Sequence, residues 1–353
     1  MFKVYKRKII LLTITIILIF SLTISYGICE EHKFNMPCTD PLWGEGGIHT
    51  QLFVESVRIA TEGGVDIKVF PGGEWGGSEE DYTKDIQLGT LDLTCIAISP
   101  IGQFTDALTV FDVPFLFKGP IDETLFIFES PTKFTPIIEK LVEQATKEAN
   151  FIILGLAPIG RRDIFSNKPI NDINGIRGLK IRTMGSSMQV DAFNFLGTMA
   201  TPMPTGECYA ALKMNVIDAM ENSPDLYIMK RIYEVAPYWV GTNHYSCVMV
   251  IIMSKKAWDS LPAAYQNIVK NCAMAASYTI AQWAIGSAEV ALKGPVKKLA
   301  KTMFYPTKEE QDELREKVLP KLLDKYGKQI GMGIIEILAK EDEVVRSWYE
   351  KNK

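Results

Sequence analysis

The groups in this chain best suited to chemistry lie between Gly178 and Asn222, in GLKIRTMGSSMQVDAFNFLGTMATPMPTGECYAALKMNVIDAMEN. Arg182 closes a short alternating segment in which Leu179 and Ile181 face a core and the guanidinium points the other way. A guanidinium is a planar fork of donors that matches two carboxylate oxygens and fixes orientation as well as charge. The plain alternative for an isolated arginine is a surface ion pair. Thr205 reads as a helix cap, and Asn222 as a turn residue or as a donor and acceptor for a small molecule. Hydrolytic and metal chemistry are poorly served. The three histidines, His32, His49 and His244, are scattered without HExxH spacing, and there is no GxSxG elbow. Glu79/Glu80 and Glu309/Glu310 read as helix-start acids on solvated faces. No enzyme activity, metal or cofactor is expected.

The elements that must position these residues follow from the pattern around them. After Arg182 comes a Gly-Ser-Ser turn, then an amphipathic helix with Met188, Phe193 and Leu196, closed by Gly197. The connector Thr201 to Pro204 leads to Thr205 and a second helix ending near Asn215, a residue type that tolerates positive φ. Arg182, Thr205 and Asn222 thus stand at element ends of an α/β unit, where ligands of open α/β sheets gather. Upstream, strands are expected at Lys33 to Met36, at Val65 to Val69 and at Leu91 to Ile98, with a helix starting near Ser78. The glycine-rich stretch Gly72 to Gly77 carries neither GK[ST] nor GxGxxG and is not a phosphate loop. Phe151 to Leu156 and Tyr245 to Met253 read as apolar strands. Pro262 opens a long helix toward Lys293 that Gly294-Pro295 should end or kink. Thr307 and Glu310 have capping-box spacing ahead of the last helices.

Several of these segments, in order and at matching spacing, resemble one known family. GLKIR, PMPTGECYAAL and NVIDAMENSP, preceded by FPGGEWGGSEEDYTKDIQLGTLDLT and VFDVPFLF and followed by EVAPYWVGTNHYS and SKKAWDSLPAAYQNIV, are similar to the solute-binding proteins of TRAP transporters, the DctP family. The resemblance implies an α/β, two-lobe periplasmic-binding-protein-like fold with a hinge, an interlobe ligand cleft and a long helix spanning both lobes. Lobe I would comprise residues 28–157 and 248–287, and lobe II residues 158–247 and 288–353. It also implies that Arg182 grips the carboxylate of a small organic acid. Arg162 would help, with Arg161 the alternative that could face inward, and Asn222 would make a further contact. Thr205, Trp43, Glu79 and Asn243 are weaker candidates. The small and large TRAP membrane subunits would be the partners, with the chain itself a monomer. A sensor subunit of the same fold, feeding a membrane receptor or kinase, is the alternative role.

Two departures from the family pattern matter. The segment before Asn222 reads DAME where many members have DGQE, and Ser223 intervenes before Pro224, which alters the backbone around the site. Ile96 to Pro100 is nearly uncharged where sialate-binding members place polar groups, so sialic acid is disfavoured and a less polar acid expected.

The N-terminus bears Lys3, Lys6, Arg7 and Lys8 and then an apolar run from Ile9 to Ile24, too short to span a membrane comfortably. It reads as a signal peptide of residues 1–27 cleaved after Gly27, so that the folded part is periplasmic. Lipidation at Cys29 is the less favoured rival, because Ile28 occupies a position where a lipoprotein signal has a small residue. Without the leader's cations the chain has 34 basic against 42 acidic groups, a formal −8. That balance argues against nucleic acid or an anionic membrane as partner. The six cysteines lack CxxC spacing and read as small buried hydrophobes rather than a disulfide framework.

Overall fold

The computed structural model describes residues 31–353; the leader, the cleavage point at Gly27 and Cys29 lie outside the described residues. The chain is an α/β protein of two lobes. Parallel strands β1 (His32–Pro37) and β2 (Val65–Phe70) form a small sheet. A bridge from Cys38 to Cys95 connects it to β3 (Leu93–Ala97). β4 (Phe128–Ser130) and β5 (Lys133–Phe134) make a short hairpin. The main sheet contains β6 (Phe151–Ser166), β7 (Lys180–Thr183), β8 (Met199–Pro202), β9 (Ala219–Asn222), β10 (Tyr238–Ser254) and β11 (Thr302–Phe304). Its order is β11-β10-β6-β9-β7-β8, and β3 pairs with the other end of β10.

β6 and β10 are longer than the apolar runs that predict them, at 16 and 17 residues. The additional residues include Gly160-Arg161-Arg162-Asp163 and Gly241-Thr242-Asn243-His244, types that read as loop when no partner is in view. They stay in the sheet because both arginines find carboxylates, Arg161 with Asp163 and Arg162 with Glu221. The antiparallel ladder between the two strands is interrupted by register shifts, near Gly160 (φ 91°) and near Asn243 (φ 43°). Such bulges bend a strand and raise its twist.

The rest of β10 is apolar on both faces, and its alternation sorts residues into two cores. Val248, Val250 and Ile252 pack with Phe111, Ile127 and the buried face of helix Lys308–Ile330. Cys247, Met249, Ile251 and Met253 pack with Phe53, Val57 and Ile280. A strand covered on both faces reads as a continuous hydrophobic run, as the sequence does here.

The long helix Ala263–Ala291 lies on β6 and continues past it to helix Pro224–Met229. Contact is close at Gly155, where a Cβ would fall 2.3 Å from Ser277 Oγ and 2.9 Å from the Ala273 carbonyl. At its end the helix neither stops nor kinks at Gly294; it widens into a π turn, Leu292–Val296, that accommodates Pro295. Local start signals hold: Ser78 and Asp81 form a capping box, as do Thr307 and Glu310. Cys38, Cys95, Cys208 and Cys247 are buried free thiols. Among the described residues no helix is long and apolar enough to cross a membrane.

Candidate functional site

Parallel pairing of β7 with β9 sets Arg182 opposite Met220, and β9 pairs on its other edge with β6, Glu221 opposite Ile164 and Asn222 opposite Asp163. Three neighbouring strands thereby bring Arg182, Glu221, Asn222 and Arg162 to one end of the sheet. Arg182, Asn222 and Arg162 line a cavity of about 550 Å³, with Glu221 buried behind them. Its opposite wall carries Asp40, Glu45 and Glu79, from the loop after β1 and the first turns of helices Glu45–Ala60 and Glu79–Leu88.

Glu221 is fully buried and organises the basic side. Arg162 donates from Nε to its Oε2 at 2.6 Å and from Nη2 to its Oε1 at 2.9 Å. A third bond runs from Arg162 Nη2 to the Glu221 carbonyl at 3.1 Å. Burial alone would raise the Glu221 pKa, but the charge and hydrogen bonds of Arg162, with contributions from His244 and Arg182, outweigh it and hold the carboxyl down at about 2. Desolvation likewise opposes the charge on Arg162, and Glu221 more than restores it.

Arg182 is only 2% exposed and differently engaged. Its Nε donates to the Met203 carbonyl at 2.7 Å and its Nη2 to Thr205 Oγ1 at 3.0 Å. Nη1 lies 3.6 Å from Glu221 Oε1 and has no hydrogen-bond partner. Its two outer nitrogens therefore retain unused donors. Asn222 Oδ1 accepts from the Ser223 amide at 2.8 Å, which commits the carbonyl and leaves the NH2 group. Ser223, inserted ahead of Pro224, caps helix Pro224–Met229 by accepting from the Leu226 amide. The departure from the family pattern has a local structural role.

Of the seven residues predicted for the site, Arg182, Arg162, Asn222, Thr205 and Glu79 line this one cavity. Thr205 does so in a different role from the one expected. It opens a 3-10 turn, Thr205–Glu207, ahead of helix Cys208–Lys213, and its hydroxyl receives Arg182 instead of capping a helix. Glu79 is no solvated helix-start acid. It accepts from Thr39 Oγ1 at 3.0 Å and from the Ala97 amide at 3.3 Å. Burial, and then the charge of Asp40, push its pKa up to about 7. The structure does not bring the other two residues there. Trp43 is 61% exposed and off the lining, because its loop turns Asp40 and Glu45 inward instead. Asn243 lines a second pocket of about 470 Å³ with Gly160, Arg161 and Lys118, where the bulge in β10 has turned it away. Arg161 is there too, held by Asp163 through Nε at 2.9 Å and Nη2 at 2.8 Å.

Sequence reasoning missed Glu221, Asp40, Glu45 and His244, whose Nε2 lies 3.6 Å from Glu221 Oε2. Only Glu221 carried a signal, its place beside Asn222 in the strand that ends at the cavity.

A family model described as bacterial extracellular solute-binding protein, family 7, matches residues 46–329. A solute-binding protein of Chromohalobacter salexigens is 30% identical over 224 residues, covering 63% of this chain and 64% of that protein. The chain thus matches just under two thirds of that curated relative's length. A TRAP periplasmic solute-binding protein of Sulfitobacter sp. NAS-14.1, solved with bound α-D-taluronate, superposes with a TM-score of 0.77 at 25% identity, covering 91% of this chain and 98% of that one. Another from Ochrobactrum anthropi, its C-terminus bound in the ligand-binding pocket, gives 0.75 at 26% identity over 92% of this chain and 98% of that one.

Proposed function

Because the chain belongs to bacterial extracellular solute-binding protein family 7, we propose that it captures a small organic acid between its lobes and delivers it to the membrane subunits of a TRAP transporter. Family members bind solutes for transport and are not enzymes. The observation that carries the reading is the asymmetry of the two arginines. Arg162 is neutralised by Glu221, whereas Arg182 keeps donors unused beside a cavity of about 550 Å³. A carboxylate set against Nη1 and Nη2 of Arg182 would receive a bidentate pair of charge-assisted bonds. The Asn222 NH2 group would give another. Thr205 and the Met203 carbonyl hold the guanidinium in orientation, and Arg162 supports the site by fixing Glu221. The uronate in the similar Sulfitobacter protein is consistent with an acid ligand.

The division into lobes at residues 157/158 and 247/248 has its own support. Pro158 and Val248 are register partners, adjoining an irregularity of the β6–β10 ladder. Bending there would close the walls on a ligand. The walls already approach each other, since a Cβ at Gly185 would sit 3.1 Å from Glu80 Oε1. Export by the leader would place the protein in the periplasm, working as a monomer.

Thermal-shift screening of the purified protein against organic acids, with Arg182→Ala in parallel, tests the function. A ligand at about 100 times its Kd adds roughly 2.7 kcal/mol. A shift by an acid that vanishes in the variant supports the reading, and an equal shift in both overturns the role of Arg182.

A further inference from the structure

The wall facing the arginines is acidic, and among the described residues no ion pair neutralises it. Asp40 accepts from the Gly46 amide at 3.0 Å, Glu79 accepts from Thr39 and Ala97, and Glu45 is 3% exposed. Among the described residues none of the three has an ion pair within 4.0 Å; Lys230, on the same lining, makes none with them. Burial raises the proton affinity of all three; Asp225 and Asp40 add to it at Glu45 and Asp40 adds to it at Glu79, while the charge of Lys230 opposes it at Asp40 and that of Arg162 at Glu45. On the opposite side Glu221 is held ionised by Arg162, and Arg182, itself 2% exposed, presents an unpartnered Nη1.

The cavity therefore has two poles. The carboxylate pole can take one anionic group at Arg182, since Glu221 has consumed the charge of Arg162. The other pole offers carboxyl oxygens that lack an ion-pair partner among the described residues. A second carboxylate on the solute would be brought against three acids, a like-charge contact that buried groups tolerate poorly. Hydroxyl groups would satisfy lone pairs but leave the charge unbalanced. An N–H cation would donate to these oxygens and favour their ionised form, which turns an unfavourable wall into a paired one.

Resting on the carboxylate reading above, we infer that the solute is zwitterionic: an organic acid whose far end carries an ammonium or amidinium group that docks against Glu45, Glu79 and Asp40. This replaces the less polar acid expected from the uncharged stretch Ile96 to Pro100. The polarity of this wall comes from neighbouring elements, not from the strand.

The test is a thermal-shift panel on the purified protein, stripped of carried-over solute by unfolding and refolding. The panel pairs amino acids and ω-amino acids with dicarboxylates, hydroxy acids and uronates. Hits confined to the aminated acids are expected. For such a hit, Glu79→Gln should weaken binding at least tenfold in titration calorimetry at pH 8, while the ligand-free variant melts no lower than the wild type at that pH. If nitrogen-free acids bind and aminated ones do not, the zwitterion inference falls and the carboxylate function stands. If an aminated acid binds as tightly to Glu79→Gln and Glu45→Gln as to the wild type, the acidic wall is not the cation site and the inference again falls. If no acid of any class shifts the stripped protein, both readings fall together.

Discussion

Glu221 holds Arg162 with both carboxylate oxygens, at 2.6 and 2.9 Å, while its Oε1 stands 3.6 Å from Arg182 Nη1. One acid thus divides two neighbouring arginines into a structural member and a ligand-facing one.

Arg182→Ala should weaken binding of an acid solute at least tenfold, because a hydrogen bond to a charged group contributes about 1.5 to 3 kcal/mol and the site offers more than one. Titration calorimetry reads it directly. Arg182→Lys should recover only part of the loss, since an ammonium cannot present the fork that Met203 and Thr205 orient.

Glu221→Gln should destabilise the fold by about 3 to 5 kcal/mol, because it leaves the Arg162 charge buried without its counterion. Urea unfolding measures this. The sign with pH follows from a carboxyl depressed to about 2 from 4.5. Its stabilisation is complete above the higher value and disappears as pH falls through the lower one. The stability difference between wild type and variant should shrink on acidification across that window.

Glu79 behaves in the opposite sense. With its pKa raised from 4.5 to about 7, the folded protein binds the proton more tightly than the unfolded chain does. Ionising Glu79 therefore opposes folding, and the ligand-free protein should gain melting temperature from Glu79→Gln at pH 8 relative to pH 5. An unchanged difference between the two pH values would remove Glu79 as the titrating group.

Arg161→Ala should leave solute affinity within about twofold, because that guanidinium is paired with Asp163 beside the second pocket. A large loss would reverse the assignment of the two adjacent arginines.

Gly155→Ala should destabilise by about 1 to 3 kcal/mol through overpacking of the long helix on β6. The added methyl would meet Ser277 Oγ at 2.3 Å and the backbone of Ala273. Only the Ser277 side chain can turn aside, so Ser277→Ala in the same chain should recover part of the loss in thermal unfolding.

The sequence made Arg182, Arg162 and Asn222 legible because family-like motifs surround them, and it made the caps at Ser78 and Thr307 legible because capping is a local interaction. It hid whatever depends on distant partners. The Arg162–Glu221 pair spans 59 positions, and no local pattern announces it. The far ends of β6 and β10 looked like loops because their charges are acceptable in a sheet only once paired. The loop bearing Trp43 drew notice for its aromatic residue, but the fold exposes the indole and turns Asp40 and Glu45 inward. Thr205 had the right position for a cap and the wrong partner.

The bulge at Gly160 decides which arginine is which. Ile159 and Arg162 line the same cavity although they are three positions apart, whereas an unbroken strand returns to the same face every two. The odd residue shifts the parity of everything after it, so Arg161, which even counting would turn toward the cavity, lies at the second pocket and pairs with the buried Asp163. Straightening the strand at unchanged length would exchange the two side chains, whereas deleting Gly160 would leave Arg162 two positions after Ile159 and still on the cavity face. The selectivity of the pocket thus depends on a frame, set by one extra residue whose backbone at φ 91° suits glycine, while every functional side chain keeps its place in the sequence.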